Sequence, residues 1–235
     1  LVGDSLGMVV LGYDGTVPVT MDEMIHHTKA VVRGAKNTLI VGDLPFGSYN
    51  VNTSDAIRNA ARMMKEGGAD AVKLEGGLPV VETVRAIVNA GIPVMAHIGL
   101  TPQTASALGG FKVQGKDAAA AERMIQEALQ LEEAGAFSIV LEAIPAPLAE
   151  IITKKLSIPT IGIGAGAHCD GQVLVTHDLI GLFDRFVPKF VKQYTNVSQS
   201  IVAAFNAYAE EVAAGKFPGP EHSFTMKEEV LKRLY

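Results

Sequence analysis

Five apolar runs in this chain each stop on an ionisable side chain and hand over to loop residues. Leu1-Val2-Gly3 ends on Asp4, Ile40-Val41-Gly42 on Asp43, and Ser138-Ile139-Val140-Leu141 on Glu142. Ala71-Val72 continues through Lys73-Leu74-Glu75 into Gly76-Gly77, and Ile92-Pro93-Val94-Met95-Ala96 ends on His97. Helical stretches separate these runs, and regular strand–helix alternation predicts a parallel sheet. In parallel α/β architectures the loops converge at the carboxyl ends of the strands, which is where ligands bind. An acid recurring at that end of successive buried strands therefore reads as one shared site. Lys73 and Glu75 are two residues apart, so a strand presents both on one face. Alone, that spacing would equally suit a surface ion pair on a half-exposed strand; the other acid-ended runs argue against it.

Between the strands, Thr20 is a candidate N-cap for a helix over Met21–Arg33, with Asp22 and Glu23 in its first turn. Thr53-Ser54-Asp55 caps a second helix through about Glu66, stopped by Gly67-Gly68, and Pro79 opens a third that ends at Asn89-Ala90-Gly91. Asp117–Ala134 and Ala146–Leu156 are further helices, and Ile158–Ile163 is a strand. Leu100-Thr101-Pro102-Gln103 begins a long glycine-bearing segment to Gly115, expected to cover the site. Gly164-Ala165-Gly166 is either a phosphate cradle of backbone N–H groups or a tight turn beside the pocket. Gln172–Leu182 supplies one more short strand or a helical turn, and Ser198–Ala214 and Met226–Leu234 are helices beyond the barrel count. His26 and His27 fall inside the first helix without ligand spacing and read as ordinary packing or solvent contacts.

The expected fold is α/β, a (β/α)8 TIM-type barrel forming a single domain over residues 1–235, with the helices from about residue 194 packed outside it. An open doubly wound sheet competes, but its glycine fingerprint after the first strand is absent and the polar strand ends are spread over five strands. The chain opens on Leu1 in mid-strand, so the first strand and helix are expected upstream of it, which would raise seven strands to eight. With 235 residues, 48% of them apolar, the size suits one such barrel. A net charge of −5 without a basic stripe argues against a nucleic-acid surface. No apolar run reaches the roughly 18 residues of a membrane span, and nothing resembles a secretory signal. The lone Cys169 suits a reducing cytoplasm.

Asp4, Asp43 and Glu75 would all point over one end of such a barrel. Crowded carboxylates repel, so they need a cation or raised pKa values. Oxygen ligands without cysteine favour Mg²⁺, with Mn²⁺ as the other candidate, over Zn²⁺. A 2-oxo acid could chelate that ion through its carboxylate and ketone oxygens, and the ion would stabilise the enolate formed on proton loss. Lys73 would neutralise the ligand carboxylate, and Glu142 would be the general base; a further metal ligand or an ion-pair partner are the other roles open to Glu142. His97 could be a ligand, an acid or base, or a packed imidazole.

Val2-Gly3-Asp4-Ser5-Leu6-Gly7-Met8, Asp43-Leu44-Pro45-Phe46-Gly47, Lys73-Leu74-Glu75-Gly76-Gly77, His97-Ile98-Gly99-Leu100-Thr101-Pro102-Gln103, Gly162-Ile163-Gly164-Ala165-Gly166 and Cys169-Asp170-Gly171-Gln172 occur in that order along the chain. Together they resemble the ketopantoate hydroxymethyltransferase family, within the phosphoenolpyruvate mutase and isocitrate lyase superfamily of barrels. The resemblance implies transfer of a hydroxymethyl group from 5,10-methylenetetrahydrofolate, the co-substrate, to 3-methyl-2-oxobutanoate, giving 2-dehydropantoate in pantothenate biosynthesis. It implies Asp4, Asp43 and Glu75 as Mg²⁺ ligands, Asp4, Ser5, Asp43 and Lys73 as substrate contacts, and Glu142 as proton acceptor; His97 matches a family histidine near the site. It also implies a cytoplasmic homo-oligomer, expected to be a decamer, and a strand and helix ahead of the Gly-Asp-Ser motif. A carbon–carbon or phosphorus–carbon lyase of the same superfamily, or a non-catalytic 2-oxo acid binding protein, would share the metal site.

Overall fold

A computed structural model describes residues 1–107 and 109–234. Leu108, within the expected covering segment, and Tyr235 lie outside the described residues. The described chain forms two compact units. The first comprises Leu1–Val175 and Pro188–Val191, and the second Thr176–Val187 and the described residues from Lys192 onward.

The first unit is built on six parallel strands: β1 (Val41–Asp43), β2 (Ala71–Lys73), β3 (Val94–Gly99), β4 (Ser138–Glu142), β5 (Thr160–Ile163) and β6 (Gly171–Gln172). Their order in the sheet is their order in the chain. Asp43 pairs with Lys73, Lys73 with Met95, and Gly99 with Glu142. Ahead of β1, Val2 makes a parallel bridge to Gly42, through Val2 N to Val41 O at 2.9 Å and Asp43 N to Val2 O at 3.0 Å. A doubly wound sheet reverses direction at a switch point. This order never reverses, so the competing open topology is excluded and the sheet is the curled wall of a half-barrel. β1 starts one residue into the Ile40–Asp43 run, and Ile40 N donates to the Asp70 side chain at 2.8 Å.

Between the strands run α1 (Leu6–Val9), α2 (Met21–Gly34), α3 (Thr53–Arg62), α4 (Val81–Asn89), α5 (Ala118–Glu133) and α6 (Ala146–Lys155). Thr20 and Glu23 close a capping box on α2, satisfying two otherwise unpaired N–H groups. Asp117 caps α5 through Ala120 N at 2.9 Å. The α3 cap is Asn52, one residue before the expected Thr53-Ser54-Asp55 cluster; its side chain accepts from Asp55 N at 2.8 Å. That helix widens into a π-turn over Met63–Gly67 and ends at Gly68, whose φ of 79° is the left-handed geometry glycine adopts without strain. Pro79 lies in a 3₁₀ turn, Leu78–Val80, that leads into α4.

Strand alternation divides the unit into two apolar layers. Val72, Leu74, Val94, Ala96, Ile98, Ile139 and Leu141 face outward and join one large core with helical residues such as Met24, Met63, Ile87, Leu131 and Ile152. Val41, Ala71, Met95 and Val140 face inward and form a second small cluster with Phe137, Ile161 and Ile163. The inward layer is the floor on which the site stands. In the second unit, α7 (Thr176–Leu179), α8 (Val197–Ala213), capped by Asn196, and α9 (Glu228–Leu231) are the α-helices; α9 is shorter than the expected Met226–Leu234. No described helix is long and apolar enough to cross a membrane.

Candidate active site

Two residues beyond each inward apolar residue, the same face turns polar. Val41 is followed by Asp43, Ala71 by Lys73 and then Glu75, Met95 by His97, and Val140 by Glu142. Asp4, just past the Val2 bridge, enters from the neighbouring run. Parallel pairing aligns these positions, so the acids gather at the carboxyl end of the sheet. Asp4, Asp43, Lys73, Glu75 and His97 are all at most 4% exposed, and Glu142 keeps slightly more access, its side chain 15% exposed.

Asp4, Asp43 and Glu75 each bring a carboxylate oxygen within 4.8 Å of the others. The Lys73 ammonium sits among them, 2.8 Å from Asp43 Oδ1 and 3.6 Å from Glu75 Oε1. Lys73 Nζ also lies 3.2 Å from His97 Nδ1. Lysine can only donate, so Nδ1 accepts and the imidazole proton belongs on Nε2. That nitrogen is 3.2 Å from Glu142 Oε2, but the two do not align as a hydrogen bond. Gln103 was not singled out as a site residue by sequence reasoning, yet it joins the cluster. Its Nε2 donates to Asp4 Oδ2 at 2.9 Å and its backbone N–H to Glu75 Oε2 at 3.1 Å. Tyr49, also missed, donates to Gln103 Oε1 at 2.6 Å and accepts from Glu75 N at 3.2 Å. The sequence signals for Gln103 were its place at the start of an unusually long loop after a site-bearing strand and in the His97–Gln103 motif, neither of which gave it a role.

Charge and burial act strongly here. Desolvation, helped by Asp43, pushes the Asp4 carboxyl up to about 7. Burial raises Glu75 to about 7 against the opposing pull of Lys73 and His97, and raises Glu142 to about 7 against Lys73. Burial works against the Lys73 ammonium, but Asp43, Glu75 and Asp4 outweigh it and hold the lysine protonated. His97, buried beside Lys73, falls to about 4 and is neutral near pH 7. Its short approach to Glu142 is thus that of a neutral imidazole, not an ion pair.

This donor set fits a divalent cation. All three acids are hard oxygen donors without a cysteine among them, the composition that suits Mg²⁺ or Mn²⁺. Asp43 Oδ1 is buried with the Lys73 ammonium 2.8 Å away, and a carboxylate oxygen has lone-pair capacity for a further partner. Ser5 adjoins Asp4 at the start of α1; among the described residues its hydroxyl makes no hydrogen bond to the cluster. At Gly164 and Gly166, φ is 65° and 82°, and an added Cβ would strike Phe190 and Ala146. The glycines are needed for a tight, closely packed turn, which accounts for them without a phosphate.

The sequence profile of the ketopantoate hydroxymethyltransferase family matches residues 1–220. A 3-methyl-2-oxobutanoate hydroxymethyltransferase from Heliobacterium modesticaldum is 69% identical over all 235 residues, covering 85% of that protein. One from Moorella thermoacetica is 67% identical over 95% of this chain and 83% of its own. Among solved structures, a phosphonopyruvate hydrolase superposes with a TM-score of 0.54 over 98% of this chain and 80% of its own, at 11% identity, a likeness of fold. By its sequence over nearly its whole length, the chain is an enzyme that belongs to the ketopantoate hydroxymethyltransferase family.

Proposed function

We propose that this enzyme transfers a hydroxymethyl group from 5,10-methylenetetrahydrofolate to 3-methyl-2-oxobutanoate, consuming water and giving 2-dehydropantoate and tetrahydrofolate, as a step of pantothenate biosynthesis. The observation that carries the reading is the gathering of Asp4, Asp43 and Glu75 around one point beside Lys73, with Glu142 on a separate strand. The names of relatives at 67–69% identity support the substrate.

Asp4, Asp43 and Glu75 would hold Mg²⁺, or Mn²⁺. When bound, the cation would stabilise the negative charge that develops on the oxo acid as its C3 proton leaves. Lys73 supplies the fixed positive charge opposite the substrate carboxylate, and Ser5, beside Asp4, is a further substrate contact. Glu142 takes the C3 proton. A carboxyl held near 7 by burial is well matched to that task, because it is substantially ionised at neutral pH yet basic enough to accept. His97 lies between Lys73 and Glu142 and, being neutral, separates the cation from the base. The enolate carbon then attacks the one-carbon unit of the folate. We further infer that the wall closes as a (β/α)8 barrel and that the enzyme is a cytoplasmic homo-oligomer, a decamer. Exposed Ile201, Val202, Phe205, Tyr208 and Val212 on α8 support association, since a monomer leaves this apolar face in water.

The test needs no folate. With Mg²⁺ in D₂O, the protein should exchange the C3 proton of 3-methyl-2-oxobutanoate for deuterium, read by proton NMR, and Glu142→Gln should lower the exchange rate by roughly 10²-fold or more while the oxo acid still binds. Binding without exchange in the unaltered protein would rule out the catalytic reading.

A further inference from the structure

Each carboxylate of the acidic triad has one oxygen already engaged by an N–H donor. Asp4 Oδ2 accepts from Gln103 Nε2 at 2.9 Å, Glu75 Oε2 from Gln103 N at 3.1 Å, and Asp43 Oδ2 from Asp4 N at 3.2 Å. Two of the three donors thus come from one residue, on a different strand–loop connection from any of the acids. Gln103 is 3% exposed, and every polar group of its side chain is used. The second Nε2 proton goes to Leu44 O at 2.9 Å, and Oε1 takes the Tyr49 proton at 2.6 Å. The tyrosine hydroxyl has one proton to give and two acceptors in reach, Gln103 Oε1 at 2.6 Å and Glu75 O at 3.1 Å, of which the amide oxygen is the nearer, and Glu75 N donates to its oxygen. Asp4 Oδ2 and Leu44 O, which can only accept, therefore fix which end of the amide faces Asp4, and the Tyr49 hydroxyl seats the other end. A flipped amide would aim its carbonyl at a carboxylate and its NH₂ at the Tyr49 hydroxyl.

We propose that Gln103, held in one orientation by Asp4, Leu44 O and Tyr49, is a positioning residue that occupies one oxygen each of Asp4 and Glu75 and so selects a small octahedral cation such as Mg²⁺ or Mn²⁺ over Ca²⁺. The inference rests on the triad being a metal site. The two ion types differ in what they ask of a carboxylate. Mg²⁺ and Mn²⁺ accept single oxygens in a tight octahedron completed by water, whereas Ca²⁺ takes six to eight oxygens at longer range and commonly uses both oxygens of a carboxylate. Donors seated on Asp4 Oδ2 and Glu75 Oε2 oppose that two-oxygen mode. They also hold the carboxylates at fixed rotamers, so that less ordering is left for the ion to impose.

Full-length protein is titrated with Mn²⁺ by electron paramagnetic resonance, then with Ca²⁺ as competitor, for the unaltered chain, Gln103→Met and Tyr49→Phe. Methionine keeps the length and removes both side-chain donor bonds; phenylalanine removes the hydroxyl that seats the amide oxygen and so loosens the side chain. The unaltered protein should strongly prefer Mn²⁺. Gln103→Met should weaken Mn²⁺ binding by about tenfold with a smaller change for Ca²⁺, and Tyr49→Phe should shift the Mn²⁺-to-Ca²⁺ ratio the same way by about threefold. A residue that only tied the loop down would lower the melting temperature in both variants and leave the ratio unchanged, which would overturn the proposal. Should Gln103→Met not fold, Tyr49→Phe decides alone. Unaltered protein that bound neither ion would instead overturn the metal reading of the triad, a separate outcome.

Discussion

With Nζ 2.8 Å from Asp43 Oδ1 and 3.6 Å from Glu75 Oε1, Lys73 is the counter-charge that lets acids share a water-poor site. Removing one partner of a buried ion pair leaves the other uncompensated, at a cost of about 3–5 kcal/mol. Here the acids can escape part of that cost by keeping protons, since Asp4 and Glu75 already titrate near 7. Lys73→Met should therefore destabilise the metal-free protein by about 3 kcal/mol at pH 8 and by less at pH 6, where the carboxyls are neutral. Urea denaturation at the two pH values measures it, and an equal loss at both would contradict the account. The oxo acid KM should rise in the same variant. Lys73 and Glu75 were legible in the sequence because a period of two is a local property of a strand, and the structure places them on one face as that spacing requires. Gln103 was not legible: its partners Asp4 and Glu75 lie 99 and 28 residues away, and no local periodicity reports such a bond.

At the scale of elements, the end of β3 and the end of β4 must approach closely to bring His97 and Glu142 together. Gly99 allows it. Its φ is 99°, and an added Cβ would overlap the Glu142 carbonyl oxygen and crowd Ile144. Gly91 has a similar φ of 85° but nothing near its missing Cβ. Alanine at Gly91 should cost about 1–2 kcal/mol from backbone strain alone. Gly99→Ala adds a clash with backbone that cannot yield cheaply, so it should cost at least about 3 kcal/mol and displace Glu142 enough to slow C3 exchange. Chemical denaturation of the two variants, with exchange rates, separates strain from clash; equal losses would contradict the packing argument. Strand and helix order was readable from alternation, and Thr20 and Asp117 acted as the caps their types and positions suggest. The π-turn at Met63–Gly67 was not readable. It arises where Met63 packs over Gly42, with its side chain filling the space a Cβ at that glycine would need, a contact between elements that neither segment encodes alone.

For the whole molecule, sequential parallel order was implied by helices of one-crossover length between strands, while the span of β1 and the Asp70 tether on Ile40 depended on partners far along the chain. The same architecture concentrates acids at one end of the sheet, and this links folding, pH and metal. In the unfolded chain Asp4, Glu75 and Glu142 ionise near their ordinary values, whereas in the metal-free fold burial raises each to about 7. Between about pH 4.5 and 7 the folded state therefore holds more protons than the unfolded state, and stability must fall as pH rises through that window. His97, lowered to about 4, acts in the opposite sense up to about pH 6.5, but it is one proton against three. Each uncompensated proton is worth about 1.4 kcal/mol per pH unit. In the presence of a chelator the melting temperature should thus be lower at pH 7.5 than at pH 5.5. A divalent cation binds the ionised carboxylates and must displace protons at low pH, so added Mg²⁺ should raise the melting temperature more at pH 7.5 than at pH 5.5 and reverse part of the decline. Calorimetric titration with Mg²⁺ at pH 6.5 in buffers of different ionisation enthalpy should register net proton release. A metal-free protein that grew more stable from pH 5.5 to 7.5, or Mg²⁺ binding without proton release, would show that the acids are not held neutral by the fold, and that the cluster is organised by Lys73 alone.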